Sequence, residues 1–447
     1  MTHKKAPLNL QKDPIPRLFF YYFFPAFFGL LILSTDVFFD GLFIGRKIGA
    51  LGLAAINLCV PIFSFFISLE LLFSFGGAVL ASAAMGRGDE REAREIFNSI
   101  FYFALIFSIS LGIGLFAHRY ELARFLGAEG NLQSYVLEYL GVIVLAAPII
   151  IIHPLLEAFV RNDKAPYLAM SSMIVGSLSN IAMNYTFIFV FSWGLFGAAL
   201  STALSHCIGI ILLLSHFIFK RGTLYFSRFF IHLPVVWRAV KNGISPAFTE
   251  ITTGIVIALY NFKIIRVMGE EGVAIAGAVG YIGMIAVMTL IALAQGLQPI
   301  ASFNHGAREH ERVREIFNFT FKIALLLGVA IYTLSLLFAS QAAALFFPDD
   351  PRLVIETANV MKIYYAGYLF LGVNILTATF FQSIERTKPA FLVSVSYNFI
   401  FVVMWLEILP HFLGGQGIWL SYPVAMASGF LLALLVLWQQ GRSGLRG

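Results

Sequence analysis

Twelve stretches of this chain reach roughly twenty or more apolar residues, the length a helix needs to cross the hydrocarbon of a bilayer. They fall at about 18–44, 50–83, 96–117, 134–158, 165–191, 195–219, 243–266, 272–302, 316–340, 360–383, 389–409 and 417–438. Backbone in lipid must satisfy its polar groups internally, so such stretches fold as helices rather than as open sheet. Several exceed the bilayer thickness, which tilt or kinking absorbs; Pro25, Pro61, Pro148 and Pro154 are the kink candidates. Composition agrees. Of 447 residues, 59% are hydrophobic and 12% charged, too little charge to cover the surface of a soluble protein of this size.

The formal charge of +6 does not mark a nucleic-acid binder, because the Lys and Arg residues are scattered between the apolar stretches rather than gathered in a patch. With both termini cytoplasmic, inward-facing segments hold 21 of them and outward-facing loops 7, a clear positive-inside bias. The basic segment Met1–Arg17 leads into an apolar run that carries Asp36 and Asp40 and has no small-residue cleavage site, so it reads as a retained first span. The two cysteines, Cys59 and Cys207, lie in apolar runs and form neither a disulfide framework nor a CxxC metal motif.

The chain repeats itself. Gly86–Asn98 returns as Gly306–Asn318 with six of thirteen positions identical, Pro25-Ala26-Phe27 as Pro246-Ala247-Phe248, and Gly194, Gly197, Leu200 and Ser201 as Gly414, Gly417, Leu420 and Ser421. Six spans per half return the chain to the same side, so the halves are parallel repeats. The expected fold is an all-α membrane protein of twelve transmembrane helices in two parallel-repeat six-helix bundles around a central cavity. Residues 1–219 form an N-lobe, 220–242 an amphipathic cytoplasmic linker on the membrane surface, and 243–447 a C-lobe. Gly45, Gly49, Gly76 and Gly77 read as close-packing points between helices.

An acid at the middle of a membrane helix costs about 2.5–3.5 kcal/mol on insertion scales, so each is a functional candidate. The chain places Asp36 and Asp40 in span one, Glu70 in span two and Glu250 in span seven; Glu157 and Glu407 lie nearer span ends, where hydration accounts for them. Asp36 and Asp40 are one turn apart and share a helix face. In a low dielectric they cannot both be charged cheaply, so one keeps a proton or a cation bridges them; Asp36 capping a kink is the alternative. Asn184 in span five, Thr202 in span six and Tyr139 in span four lie at a similar depth to Asp40, and Asn180 shares the helical stripe of Asn184, as lining of one pocket or as interhelical hydrogen bonds. At the repeat offset Asp40 becomes Asn261, so the titratable site is mostly N-terminal, with Glu70, Glu250 and Asn261 as candidate lining of a substrate cavity. His153, His206 and His216, each taken alone, read as bonded packing residues ahead of the alternative, a proton relay.

Several segments taken together resemble the multidrug and toxin extrusion (MATE) transporters: Asp40-Gly-Leu-Phe-Ile-Gly45 with Gly49–Ala55, Gly86-Arg-Gly-Asp89, Phe159–Asp163 with Pro166, Asn180–Tyr185, Trp193–Thr202, and Phe380–Ile384 with Lys388-Pro389. The resemblance covers nearly the whole chain and implies efflux driven by inward H⁺ or Na⁺. It makes Asp40 the span-one acid, Asn180 and Thr202 its N-lobe partners, Tyr139 a residue of the same cavity, and Glu250 the span-seven acid of some members. Many members carry an aspartate where this chain has Asn184, which weakens a simple Na⁺ site at Asp40. Asp36 is the candidate replacement.

The leading functional expectation is therefore an antiporter, not an enzyme, that exports amphipathic and often cationic compounds. No cofactor is expected beyond the coupling ion, and the partners are a small-molecule substrate and membrane lipid. A bacterial inner membrane and a monomeric state are expected. A lipid-linked precursor flippase is the alternative, but it would need buried basic residues to meet phosphate, and the mid-span charges here are acidic. An intramembrane enzyme lacks a recognisable motif such as HExxH.

Overall fold

The computed structural model describes residues 8–444, nearly all of them helical. The helices are α1 (Ile15–Lys47), α2 (Ala50–Gly86), α3 (Glu90–Ala117), α4 (Arg119–Phe125), α5 (Asn131–Leu145), α6 (Ala147–Asn162), α7 (Pro166–Tyr185), α8 (Gly194–Ile218), α9 (Leu233–Gly306), α10 (His310–Ala344), α11 (Pro351–Tyr364), α12 (Tyr368–Ser383), α13 (Thr387–Val395), α14 (Phe401–Leu413) and α15 (Gly415–Gly444). Among the described residues ten helical segments are long and apolar enough to cross a membrane, and α5 with α6, bent by 49°, makes an eleventh span. The twelfth lies inside α9. Its 74 residues would measure about 110 Å if straight, more than three bilayer cores. Non-helical backbone at Gly269 (φ 68°) divides it. Twelve spans therefore stand, as the apolar stretches require.

Packing divides the described residues into two units. One runs from Phe24 to Ala247; the other takes the chain from Phe248 onward together with the residues up to Phe23. In the second unit the start of the chain is held by polar ties: Asn304 Nδ2 donates to the Leu10 carbonyl at 3.1 Å, and Arg312 to the carbonyls of Leu10 and Asp13 at 3.1 and 2.7 Å.

The internal repeat is written into the backbone as well as the residues. Left-handed φ values recur at Gly49 and Gly269 (85° and 68°), Gly88 and Arg308 (79° and 61°), Lys164 and Glu385 (66° and 57°), and Gly194 and Gly414 (56° and 55°). A π-helical turn follows α7 at Thr186–Val190 and another follows α13 at Ser396–Ile400. The break at Ala146 has its counterpart in the 3-10 turn Tyr365–Gly367. Arg308 and Glu385 keep a conformation that costs a non-glycine residue about 1 kcal/mol or more, which shows that the two chains of turns follow one template even where the residue types have diverged.

The glycine expectations separate into two kinds. At Gly76 and Gly243 an added Cβ would lie 2.7 Å from the backbone carbonyl carbons of Ala239 and Leu72 respectively, so α2 and the first turns of α9 meet backbone to backbone. A Cβ at Gly49 would meet nothing within 4 Å, and this glycine is required by its φ of 85°, not by packing. Pro148 stands in the first turn of α6 beside the 49° bend, while Pro25, Pro61 and Pro154 lie inside uninterrupted helices.

Residues 221–232, leading into α9, form no regular element and are tied down at defined points. Buried Asp163 accepts from His216 Nε2 at 2.8 Å and from the amides of Thr223 and Leu224 at 2.9 and 3.0 Å. Asn98 binds the Tyr225 carbonyl and the Ser227 amide at 3.1 and 3.0 Å. Phe226 inserts among Phe97, Phe101 and Phe217, with centroid distances of 5.3, 4.9 and 5.6 Å. Asp163→Asn removes the charge that three donors share and is expected to weaken this anchorage by roughly 2–3 kcal/mol. Limited trypsin digestion checks this: cleavage after Arg221 or Arg228 should be faster in the variant, and an unchanged rate would show that Asp163 does not hold the segment.

Candidate functional site

Four of the candidate polar residues of the first half, Asp40, Asn180, Asn184 and Thr202, are joined by hydrogen bonds that diverge from Asn184. Asn184 Nδ2 on α7 donates to Asp40 Oδ1 on α1 and, at 3.0 Å, to Asn180 Oδ1 one turn earlier on its own helix. Asn180 Nδ2 reaches Thr202 Oγ1 on α8 in a long contact of 3.5 Å, and the Thr202 hydroxyl donates to the Ala198 carbonyl at 3.2 Å. Ser201 Oγ lies 2.7 Å from Asn184 Oδ1 and 2.8 Å from the Ala198 carbonyl oxygen, and its single proton serves one of them at a time. Both amide hydrogens of Asn184 are thus spent, one on the carboxylate. Asp40 receives a donor and offers none, the arrangement suited to its ionised form.

Asp36, one turn before Asp40, has a buried Oδ1 with no hydrogen-bond partner among the described residues. A buried carboxylate oxygen left bare is costly unless a proton or cation visits it. Tyr139 on α5 is buried, its ring stands 6.0 Å from that of Phe63, and it lies within electrostatic reach of Asp40 and Cys59. The structure therefore gathers Asp36, Asp40, Tyr139, Asn180, Asn184 and Thr202 into one neighbourhood of the first unit. Among the described residues no group of three or more His, Cys, Asp or Glu side chains is placed to hold a metal ion. A cation at Asp40 would have to draw on carboxylate, amide and hydroxyl oxygens.

Two parts of the site escaped the sequence reading. Ser201 entered it only as a matched position of the repeat. An aromatic cluster is built from residues that adjoin the network along the chain: Phe39 and Phe43 on α1 with Tyr185 and Phe189 shortly after Asn184, at centroid distances of 5.7 Å (Phe39–Phe43), 6.1 Å (Phe43–Tyr185), 5.6 Å (Phe43–Phe189) and 5.3 Å (Tyr185–Phe189). The available signal was their spacing, since Phe39 and Phe43 bracket Asp40 and Tyr185 follows Asn184. The π turn Thr186–Val190, closed by Phe191 N–H to the Thr186 carbonyl at 3.0 Å, starts directly after them; such turns often mark functional sites.

Glu70, Glu250 and Asn261 stand apart from this network. Glu70 accepts from Ser74 Oγ at 3.2 Å, and its charge acts on buried Arg161, which pairs with Glu157 at 3.7 Å. In the second unit Glu250 and Asn261 are both on α9, about 16 Å apart along the axis, with Glu250 half-buried and Asn261 exposed. The polar centre near Glu250 is Asn398, whose Nδ2 lies 3.1 Å from the Thr249 carbonyl and 2.9 and 3.2 Å from the hydroxyls of Thr252 and Thr253. It sits in the second π turn and was also missed in the sequence.

Comparison with known proteins accounts for the architecture. The sequence profile of the MatE family matches residues 25–186 and again 247–406. The chain is 22% identical to the multidrug export protein MepA of Staphylococcus haemolyticus over 96% of its own length and 94% of that protein, and 23% identical to MepA of Staphylococcus saprophyticus over 88% and 87%. The fold is similar to that of an outward-facing multidrug resistance MATE family transporter of the MOP superfamily, with a TM-score of 0.91, 21% identity and 98% of both chains covered. A MOP superfamily transporter from Pyrococcus furiosus gives 0.89 at 20% identity, again over 98% of both chains.

Proposed function

Since the chain belongs to the MatE family, we propose that it is a secondary antiporter that exports amphipathic cations in exchange for protons, with Asp40 as the shared site. The observation that carries this reading is the Asn184 amide donating to Asp40 on α1, where Phe39 and Phe43 join Tyr185 and Phe189 in an aromatic cluster. A carboxylate with an aromatic cluster in its neighbourhood attracts a lipophilic cation through charge and ring quadrupole together. A proton on Asp40 removes the charge that holds both the cation and the Asn184 amide, so H⁺ and cargo compete for one group by linkage. The tie between α1 and α7 changes in the same step from a charge-assisted to a neutral hydrogen bond.

Protons fit the site better than Na⁺. The residue next to Asp40 is an amide with its NH₂ turned toward the carboxylate, and those hydrogens repel a hard cation that needs several oxygen ligands. MepA, named for multidrug export, supports the cargo class. In this proposal the protein is a monomer in a bacterial inner membrane with both termini cytoplasmic, as the distribution of Lys and Arg favours. The C-terminal part of α1 then faces the outer half of the bilayer.

Reconstitution into proteoliposomes tests the proposal, with tetraphenylphosphonium as the probe. Its uphill movement should follow an imposed pH gradient in Na⁺-free buffer and drive opposite proton movement. Transport that needs a Na⁺ gradient and ignores pH would reject the proton reading. Asp36→Asn addresses the bare Oδ1: if Asp36 takes up the role of the acid missing at Asn184, the number of protons moved per cation should fall, as read by simultaneous pH and probe recording. An unchanged ratio would confine coupling to Asp40.

A further inference from the structure

A second titratable centre lies in the first unit, between α6 and two helices of the Asp40 network, α7 and α8. His153 on α6 and His206 on α8 stand Nδ1 to Nδ1 at 3.0 Å, with ring planes crossed at 81°. His153 Nε2 is 2.7 Å from Ser172 Oγ on α7, and that hydroxyl is 3.1 Å from the carbonyl oxygen of Gly209 on α8. The protons follow from what each group can do. A carbonyl only accepts, so Ser172 gives its one proton to Gly209 and accepts from His153 Nε2–H. Neutral His153 then has a bare Nδ1, so His206 must donate from its own Nδ1. That leaves His206 Nε2 bare, and His206 has no other hydrogen-bond partner among the described residues.

The consequence is specific. One proton added at His206 Nε2 keeps every hydrogen bond of the cluster, whereas a second would set N–H against N–H across the 3.0 Å contact. The pair therefore takes one proton and no more. Packing fixes it in place: a Cβ at Gly209 would fall 2.7 Å from His153 Cδ2, so the ring needs a glycine opposite it.

Position gives the pair a use. His206 follows Thr202 by one helical turn, about 6 Å of rise, and Thr202 is the far end of the chain from Asp40 through Asn184 and Asn180. On the other side, His153 is followed at one-turn intervals by Glu157 and Arg161, both buried and paired at 3.7 Å near the end of α6. Their neighbours on α6 (Leu155, Leu156, Phe159 and Val160) are apolar and buried. The other titratable groups on helices packed against the pair are Cys59 and Glu70 on α2, Tyr135, Glu138 and Tyr139 on α5, Tyr167 and Tyr185 on α7, Cys207 and His216 on α8, and, on α3, Tyr102 and the charged residues of its first turns. None of them bonds to either imidazole among the described residues.

We propose that His153 and His206 form a proton relay between the Asp40 site and the Glu157 end of α6, His206 Nε2 being the atom that takes the proton and His153 Nε2 the atom that gives one up. The relay rests on the proton-coupled reading above and adds the route to it. His206 Nε2 gains H⁺ from the Asp40 side, the Nδ1 proton of His206 crosses to His153 Nδ1, and His153 Nε2 gives its proton up through Ser172 Oγ toward the Glu157 end, with no change of oxidation state and no bond to cargo.

The full-length protein in proteoliposomes tests this, with tetraphenylphosphonium as the driving cation and three readouts: proton flux, probe affinity, and response to added imidazole. His206→Gln and His153→Gln should each lower proton flux by at least about 100-fold, the range for loss of a proton-transferring group. Probe affinity should stay unchanged, and millimolar imidazole should restore flux in the variants while leaving the wild type as it was. If His153→Gln fails to fold, His206→Gln decides alone, since that half-buried ring holds no other bond. Unchanged flux, or a loss that imidazole does not relieve, overturns the relay while proton coupling in the wild type stands. A wild type that moves no protons at all overturns both.

Discussion

Asp40→Asn is expected to end uphill export and leave a folded, inserted protein. Asparagine has nearly the shape of aspartate and keeps an oxygen for the Asn184 amide, so the tie from α1 to α7 survives. What disappears is the group whose two protonation states differ in affinity for the cargo. Linkage requires such a difference: a site that cannot titrate transfers no free energy from the proton gradient to the drug. The accumulation ratio of tetraphenylphosphonium across proteoliposomes under a pH gradient should fall to about 1, the value for uncoupled movement. Its affinity should fall as well, because the aromatic cluster alone contributes only about 0.5–2 kcal/mol to a cation. Concentrative transport retained by the variant would remove Asp40 from the coupling step and leave the proposed mechanism without its central group.

Gly243→Ala should produce the largest loss of stability from the smallest added volume. The new methyl would fall 2.7 and 2.8 Å from the carbonyl carbon and Cα of Leu72, and backbone cannot rotate aside as a side chain can. Gly76→Ala meets the carbonyl carbon of Ala239 at 2.7 Å from the opposite helix. Overpacking of this kind costs roughly 1–3 kcal/mol or more, and each variant should melt several degrees lower in detergent. Gly254→Ala is the control, because a Cβ there meets nothing within 4 Å. Equal melting of Gly243→Ala and Gly254→Ala would mean that α2 and α9 can separate slightly at no cost.

The spans were legible because hydrocarbon length and backbone satisfaction leave a long apolar segment few choices. Their internal shape was less so. The 134–158 stretch reads as one helix, yet it breaks at Ala146 and bends by 49°. The π turns at Thr186–Val190 and Ser396–Ile400 have no distinct composition to announce them. Gly49 illustrates a motive that sequence hides: it looked like a packing glycine, and its backbone φ explains it instead.

In the site, the residue types were visible and the bonding was not. Asp40, Asn184 and Thr202 could be grouped by depth along their helices, and Asn180 by its stripe with Asn184, but Ser201 gave no sign that it would reach Asn184 Oδ1. His153 and His206 are 53 residues apart and each alone looks like a packing residue; only the crossing of α6 and α8 turns two unremarkable imidazoles into a pair with one free lone pair.

The sequence by itself determined that this chain spans a membrane twelve times in two repeated halves, and that its first half carries acids where lipid would not tolerate them idly. Those are properties of segments, set by transfer free energies that act on each stretch separately. The tertiary structure decided which polar atoms meet, in which direction each proton points, and where a missing Cβ lets two backbones touch. Such facts depend on angles and offsets between helices that are distant in the chain, and hydropathy along a single strand of sequence carries no record of them.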